Sequence, residues 1–110
     1  MTPELVEIVT TVATEEDARR LSRELVASGV VACATWYPVR SVYRWQGELH
    51  DDPEIQIVCK TTAALAAKAE ESLKGAHPYE TPQILRLAVR SANETYATWV
   101  ADSVKGTERG

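Results

Sequence analysis

Three side chains in this sequence have the chemistry to take a soft divalent metal: Cys33, His77 and, as an oxygen donor, Glu80. Copper and zinc favour thiolate and imidazole, and a carboxylate completes such ligand sets. Each of the first two also has a plainer role. Free cysteine is usually buried, so Cys33 reads equally as a small residue on a core strand. His77 precedes Pro78 and can fix a turn by hydrogen bonding to backbone. Cys59 alternates with Ile55 and Ile57 and reads as core, while His50 sits in a polar turn with no partner in view and is expected to face solvent. The two cysteines follow no metal-knuckle or redox spacing. No G-x-S-x-G, glycine-rich phosphate loop or paired-carboxylate signature is present, so no enzymatic activity is expected.

The elements that must position these residues follow from periodicity. Leu5 to Val12 alternates and is β-branched, with Val6, Ile8, Thr10 and Val12 on one face, which predicts a strand. Thr14 opens a capping-box-like T-E-E-D, and Ala18, Leu21 and Leu25 follow at helical spacing. Acids in the first turn and Gly29 after the last predict a helix from about Glu15 to Ser28. Val30 to Trp45 is β-rich, with Pro38 at an edge, a bulge or a bend between two strand segments. Gln46-Gly47-Glu48 predicts a turn, Asp51-Asp52-Pro53 a second irregularity, and Ile55 to Cys59 the returning strand of a long hairpin. Thr62 is expected to cap a second helix carrying Leu65, Ala69 and Leu73 and ended by Gly75. H-P-Y-E-T-P from His77 to Pro82 is irregular. A fourth strand is expected over Ile84 to Val89 with Leu85, Leu87 and Val89 inward, then a helix capped by Asn93 carrying Tyr96, Trp99, Val100 and Val104.

The order β-α-β-β-α-β-α predicts an α+β fold, a ferredoxin-like split βαβ unit with an extra C-terminal helix and a long central hairpin. Two helices on one face of an antiparallel sheet leave the other face to solvent, another subunit or the extra helix. The 110 residues suit one domain, expected over 1–110 with a frayed polar tail over 105–110. A net charge of −4 and one basic cluster, Arg19, Arg20 and Arg23, interleaved with acids, argue against nucleic acid. No apolar run approaches membrane-spanning length, and no basic segment leads into an apolar one at the N-terminus, so no membrane association and a cytoplasmic location are expected.

The aromatics need their own explanation. Of the 3 Trp and 4 Tyr, Trp36, Tyr37, Tyr43 and Trp45 lie on the hairpin, and there is no Phe. Alternation must turn some of these rings to the face opposite the helices, where exposed aromatic surface usually marks an interface. A core sealed by the C-terminal helix is the competing reading.

The segments A-C-A-T before Pro38, S41-V-Y43-R-W45-Q-G47, K60-T61-T62, H77-P-Y79-E80-T-P82 and Tyr96 with Trp99 together resemble the CutA divalent-cation tolerance family, from about Leu5 to Trp99. The resemblance implies a homotrimer similar in architecture to the PII nitrogen-signalling proteins, with hairpins pairing across subunits. It thereby implies a trimer interface at Trp36, Tyr37, Tyr43 and Trp45. It implies a cleft near the subunit boundary that includes Tyr43, Trp45, Lys60, Tyr79 and Trp99, with Cys33, His77 and Glu80 as metal ligands for copper (Cu2+) or another divalent cation. Lys60 and Glu80 are expected either to pair there or to bind an anionic small molecule. Thr10 stands where some relatives carry a cysteine, and Ala76 where some carry a second histidine, so metal binding is expected to be weak. The alternative is a PII-like signalling or scaffold trimer that binds a small molecule or partner protein.

Overall fold

The computed structural model describes residues 2–104; the expected frayed tail at 105–110 lies outside them. Eight alternating residues form β1 (Leu5–Val12), and Thr14 then caps α1 (Glu15–Ala27) by accepting the Asp17 N–H on its hydroxyl at 3.1 Å. Ala18, Leu21, Ser22 and Leu25 form the buried stripe of α1. Gly29, at φ +82, supplies the left-handed residue just past its end.

Next comes a hairpin longer and more regular than expected: β2 (Cys33–Trp45) pairs with β3 (Glu48–Thr62) without interruption from Cys33↔Lys60 to Trp45↔Glu48. Gln46 and Gly47, both at positive φ, make the two-residue turn whose twist matches its strands. Neither proline breaks the ladder. Pro38 lies on β2, the edge strand of the sheet, where a missing N–H does no harm. Pro53, expected as an irregularity, lies on β3 beyond the last β1 partner, Val12↔Ile55, so one side of it has no strand to bond.

Thr62 does not cap α2 (Ala66–Ala76). A short 3₁₀ turn, Ala63–Leu65, intervenes, and the Thr62 hydroxyl is buried without a partner. Gly75 lies inside the helix rather than past it. The stop comes from Pro78, whose ring forbids helical geometry to the residue before it, so His77 is extended at ψ 137. The fourth strand, β4 (Leu85–Ala88), and α3 (Glu94–Ser103) complete the chain; Asn93 stands at the N-cap of α3, but its amide goes to the Thr95 hydroxyl instead.

The sheet is antiparallel in the order β2-β3-β1-β4, with α1 and α2 on one face. Ile8, Val12, Leu21, Ile57, Cys59 and Leu73 are sealed between them. A second cluster, Leu5, Ala32, Leu65, Ala97, Val100 and Val104, lies under α3. One inward assignment is overturned. Leu85 pairs with Val9 and Leu87 with Glu7, which puts both leucines on the face away from α1 and α2, 50% and 45% exposed. Arg86 takes the helix side and grips Glu70 with two hydrogen bonds of 2.6 and 2.9 Å.

Candidate functional site

Because β1 ends at Val12, the outer half of the β2–β3 ribbon projects past the rest of the sheet. The His77–Gln83 connection runs back along the space left beyond β1. Between ribbon and connection lies a cavity of about 800 Å³. Tyr43, Trp45 and Tyr79 supply its aromatic walls, and Asp52, Glu54 and Glu80 its charge.

His77 sets the shape of the connection. Its Nε2 lies 3.1 Å from the Thr11 carbonyl and 2.9 Å from the Thr10 hydroxyl, while its Nδ1 receives the Tyr79 N–H at 3.1 Å. A carbonyl only accepts and a backbone N–H only donates, so Nε2 carries the proton and Nδ1 the lone pair. Burial lowers the imidazole pKa, against a smaller opposing pull from the Thr11 carbonyl, and the neutral ring suits this bonding. Of the two roles open to His77, the geometry displays the turn-fixing one. Thr10 serves as its hydroxyl partner.

Through that turn Tyr79 is aimed at Glu54, to which its hydroxyl donates at 2.6 Å. Burial, and then this bond, push the Tyr79 phenol well above its usual range. Tyr43 donates to Asp52 at 2.9 Å, and chiefly that bond raises its pKa. His50, expected free in solvent, instead stacks on Tyr43 with centroids 5.2 Å apart and planes 11° from parallel. Asp52 and Glu54 are functional candidates that sequence reading passed over. The Asp51-Asp52-Pro53 segment looked irregular, although alternation counted back from Gln56 reaches both, on the face opposite Ile55.

Cys33 belongs to a different place. Paired with Lys60 at the inner end of the hairpin, it is half-buried with its sulfur 3.5 Å from the Tyr96 hydroxyl. Tyr96, held mainly by that contact, has its pKa pushed up to about 12, and it stacks on Trp99 at 5.7 Å. Lys60 pairs with Glu7 at 3.8 Å rather than with Glu80. Lys60 lies six residue steps along β3 from Glu54, about 20 Å of extended chain. The residues expected at one cleft thus fall into two groups, Tyr43, Trp45, Tyr79 and Glu80 at the ribbon and, apart from them, Cys33 and Lys60 on the sheet with Trp99 on α3. Within one chain His77, Cys33 and Glu80 do not form a metal set, and among the described residues no three His, Cys, Asp or Glu side chains converge as one. Cys59 is fully buried, and burial pushes its thiol up to about 12.

Of the hairpin rings, Tyr37, Tyr43 and Trp45 are exposed by 47%, 41% and 40%. Trp36 packs against the chain's own core, beneath the Arg19 guanidinium at 5.6 Å.

An antiparallel ferredoxin-like sheet with a projecting ribbon, a bare apolar face and an aromatic–acidic cleft defines the class. The sequence model of the CutA1 divalent ion tolerance protein matches residues 6–103, and the chain belongs to that family. It is similar to the divalent-cation tolerance protein CutA of Thermus thermophilus, 36% identical over 87% of this chain and 94% of that protein. Among solved structures it is similar to CutA from Synechococcus elongatus (TM-score 0.90, 34% identity, 94% of this chain and 93% of that one). CutA1 from Ehrlichia chaffeensis gives a TM-score of 0.89 at 35% identity, covering 94% of this chain and 97% of the other. A periplasmic divalent cation tolerance protein CutA, from Archaeoglobus fulgidus, shares the fold at 24% identity, with a TM-score of 0.88 over 92% of this chain and 99% of that one. No helix among the described residues is long and apolar enough to cross a membrane.

Proposed function

We propose that this chain serves divalent-cation tolerance as a homotrimer of single-domain subunits, holding ions such as copper weakly and only where subunits meet. The observation that carries this reading is the bare sheet face. Leu85, Leu87 and Tyr37, together with Trp99 on α3, are each close to half exposed in the isolated chain, a cost that burial against other copies removes. Pairing of the free β2 and β4 edges would also blunt their tendency to aggregate. The spread of Cys33, His77 and Glu80 within one chain supports weak binding, with ligands from more than one subunit. The two free thiols, Cys33 and Cys59, support a cytoplasmic, reducing location. The role is a binding one, not an enzymatic one.

Calorimetry of the native assembly with Cu2+ and Zn2+ tests the proposal. Weak, saturable binding is expected, with fewer sites than chains or one per boundary, and loss of binding in a dissociated variant. Equal binding by dissociated chains, or none at all with ion in the millimolar range (about 1 mM), would falsify it. A second reading, a trimer that binds a small molecule, is favoured by one observation: the 800 Å³ cleft lies within the usual size range of ligand pockets.

A further inference from the structure

The cleft has a chemical character that the metal reading leaves unused. Three aromatic rings and three carboxylates line it, and among the described residues no Lys, Arg or His does, although the His50 ring approaches Asp52 at 3.9 Å. Glu54, the most enclosed of the three acids, is only 9% exposed. One of its oxygens accepts from Tyr79, and among the described residues it has no cationic partner. The arginines of the ribbon are engaged elsewhere, Arg40 with Asp51 at 2.8 Å and Arg44 with the Gly47 carbonyl at 3.4 Å. Buried carboxylates are normally paired with a cation, so this arrangement is incomplete. Among the described residues Asp52, Glu54 and Glu80 do not converge on one point as the ligands of a single metal ion would. They stand around a space that could hold several carbon atoms and is lined by three aromatic rings, a residue type that attracts organic cations through the ring quadrupole.

We propose that the cleft between the projecting ribbon and the His77–Gln83 connection binds a small organic cation, an aliphatic amine or diamine. Its ammonium heads lie against Glu54 and Glu80, and its methylene stem along Trp45 and Pro78. Metal ions compete poorly there, since no three donors meet. The inference rests on the small-molecule reading of the cleft and stands apart from the metal reading.

An isosteric charge series tests it by calorimetry on the native assembly: hexamethylenediamine, aminohexanol, hexanediol and adipate. The diamine is expected to bind saturably and the aminoalcohol about tenfold more weakly. Hexanediol and adipate are expected not to bind. Glu80→Gln, on an exposed side chain, should cut diamine affinity at least about fivefold, and Trp45→Ala should weaken both amines alike. Glu54→Gln keeps an acceptor for the Tyr79 hydroxyl and should cut affinity further with an unchanged melting temperature. Binding of hexanediol or adipate as tight as the diamine leaves a small-molecule cleft but overturns the cationic ligand. No saturable binding up to about 10 mM diamine also overturns it. So does a third result, in which diamine or Glu80→Gln dissociates the assembly in sedimentation, for the cation is then a neighbouring copy's side chain.

Discussion

The two faces of this sheet are built from the same strands and yet behave oppositely. On the helix side, Ile8, Ile57, Leu21 and Leu73 lie within 1% of complete burial, and one chain suffices to seal them. On the other side only the α3 end is covered, by Leu5, Ala97, Val100 and Val104, while Leu85, Leu87 and Tyr37 stand open. The first face therefore governs whether the chain folds, and the second what it meets. The ribbon cleft continues the open face, since Tyr43, Trp45, Asp52 and Glu54 share the register side of Tyr37 and Leu87, and it exists only because β2 and β3 outrun β1.

Substitution on the covered face should break the chain itself. Leu21→Ala removes a fully buried side chain from the α1 stripe and is expected to cost about 2–5 kcal/mol in chemical denaturation of the folded chain. A loss below about 1 kcal/mol would mean the two faces are not as different as their burial suggests. On the open face the same severity of change should spare the fold and abolish assembly. Leu87→Asp is expected to keep the helical and strand signal in circular dichroism, sediment as a single chain and lose any concentration dependence of its melting temperature. An unchanged sedimentation coefficient would show that this face is not where copies join. The smallest effect belongs to the connection that walls the cleft. The His77 pKa in the folded chain lies below the ordinary imidazole value of 6.5, so the unfolded chain takes up its proton first. The stability that the neutral ring contributes is therefore complete above pH 6.5 and is lost as pH falls through the folded value. His77→Gln should lower stability at neutral pH by about 1 kcal/mol and flatten the pH profile below 6.5. A profile as steep as that of the unsubstituted chain would assign the dependence to another group.

Much of the fold was legible. Alternation from Leu5 to Val12, the Thr14 cap with its acidic first turn and the Gly29 stop are local signals, and local physics decided those elements. What misled were signals whose outcome depends on neighbours. Pro53 read as an interruption and Pro38 as an edge, a bulge or a bend; a proline harms a ladder only where its missing N–H faces a strand, and strand order puts Pro38 on the edge and spares Pro53 as well. The alternation of Leu85 and Leu87 was read with the right period and the wrong covered face, because a period of two cannot say which side the helices occupy. Thr62 carried the residue type of a cap without its geometry. At the candidate site, Tyr43, Trp45, Tyr79 and Glu80 were identified and do share a cavity, whereas Lys60 and Trp99 lie elsewhere.

The chemistry-bearing residues show the same division. By itself the sequence determined the family, the element order and which side chains are able to act as a ligand, base or aromatic wall, since these follow from residue type and short-range spacing. Only the tertiary structure decided their company. It spent both nitrogens of His77 on a turn, placed Cys33 beside Tyr96 at the inner end of the hairpin, and drew Asp52 and Glu54 into the cleft with Glu80. The physical reason is register: where β1 stops against β3 fixes how far the ribbon projects, and no local pattern in either strand encodes that end point.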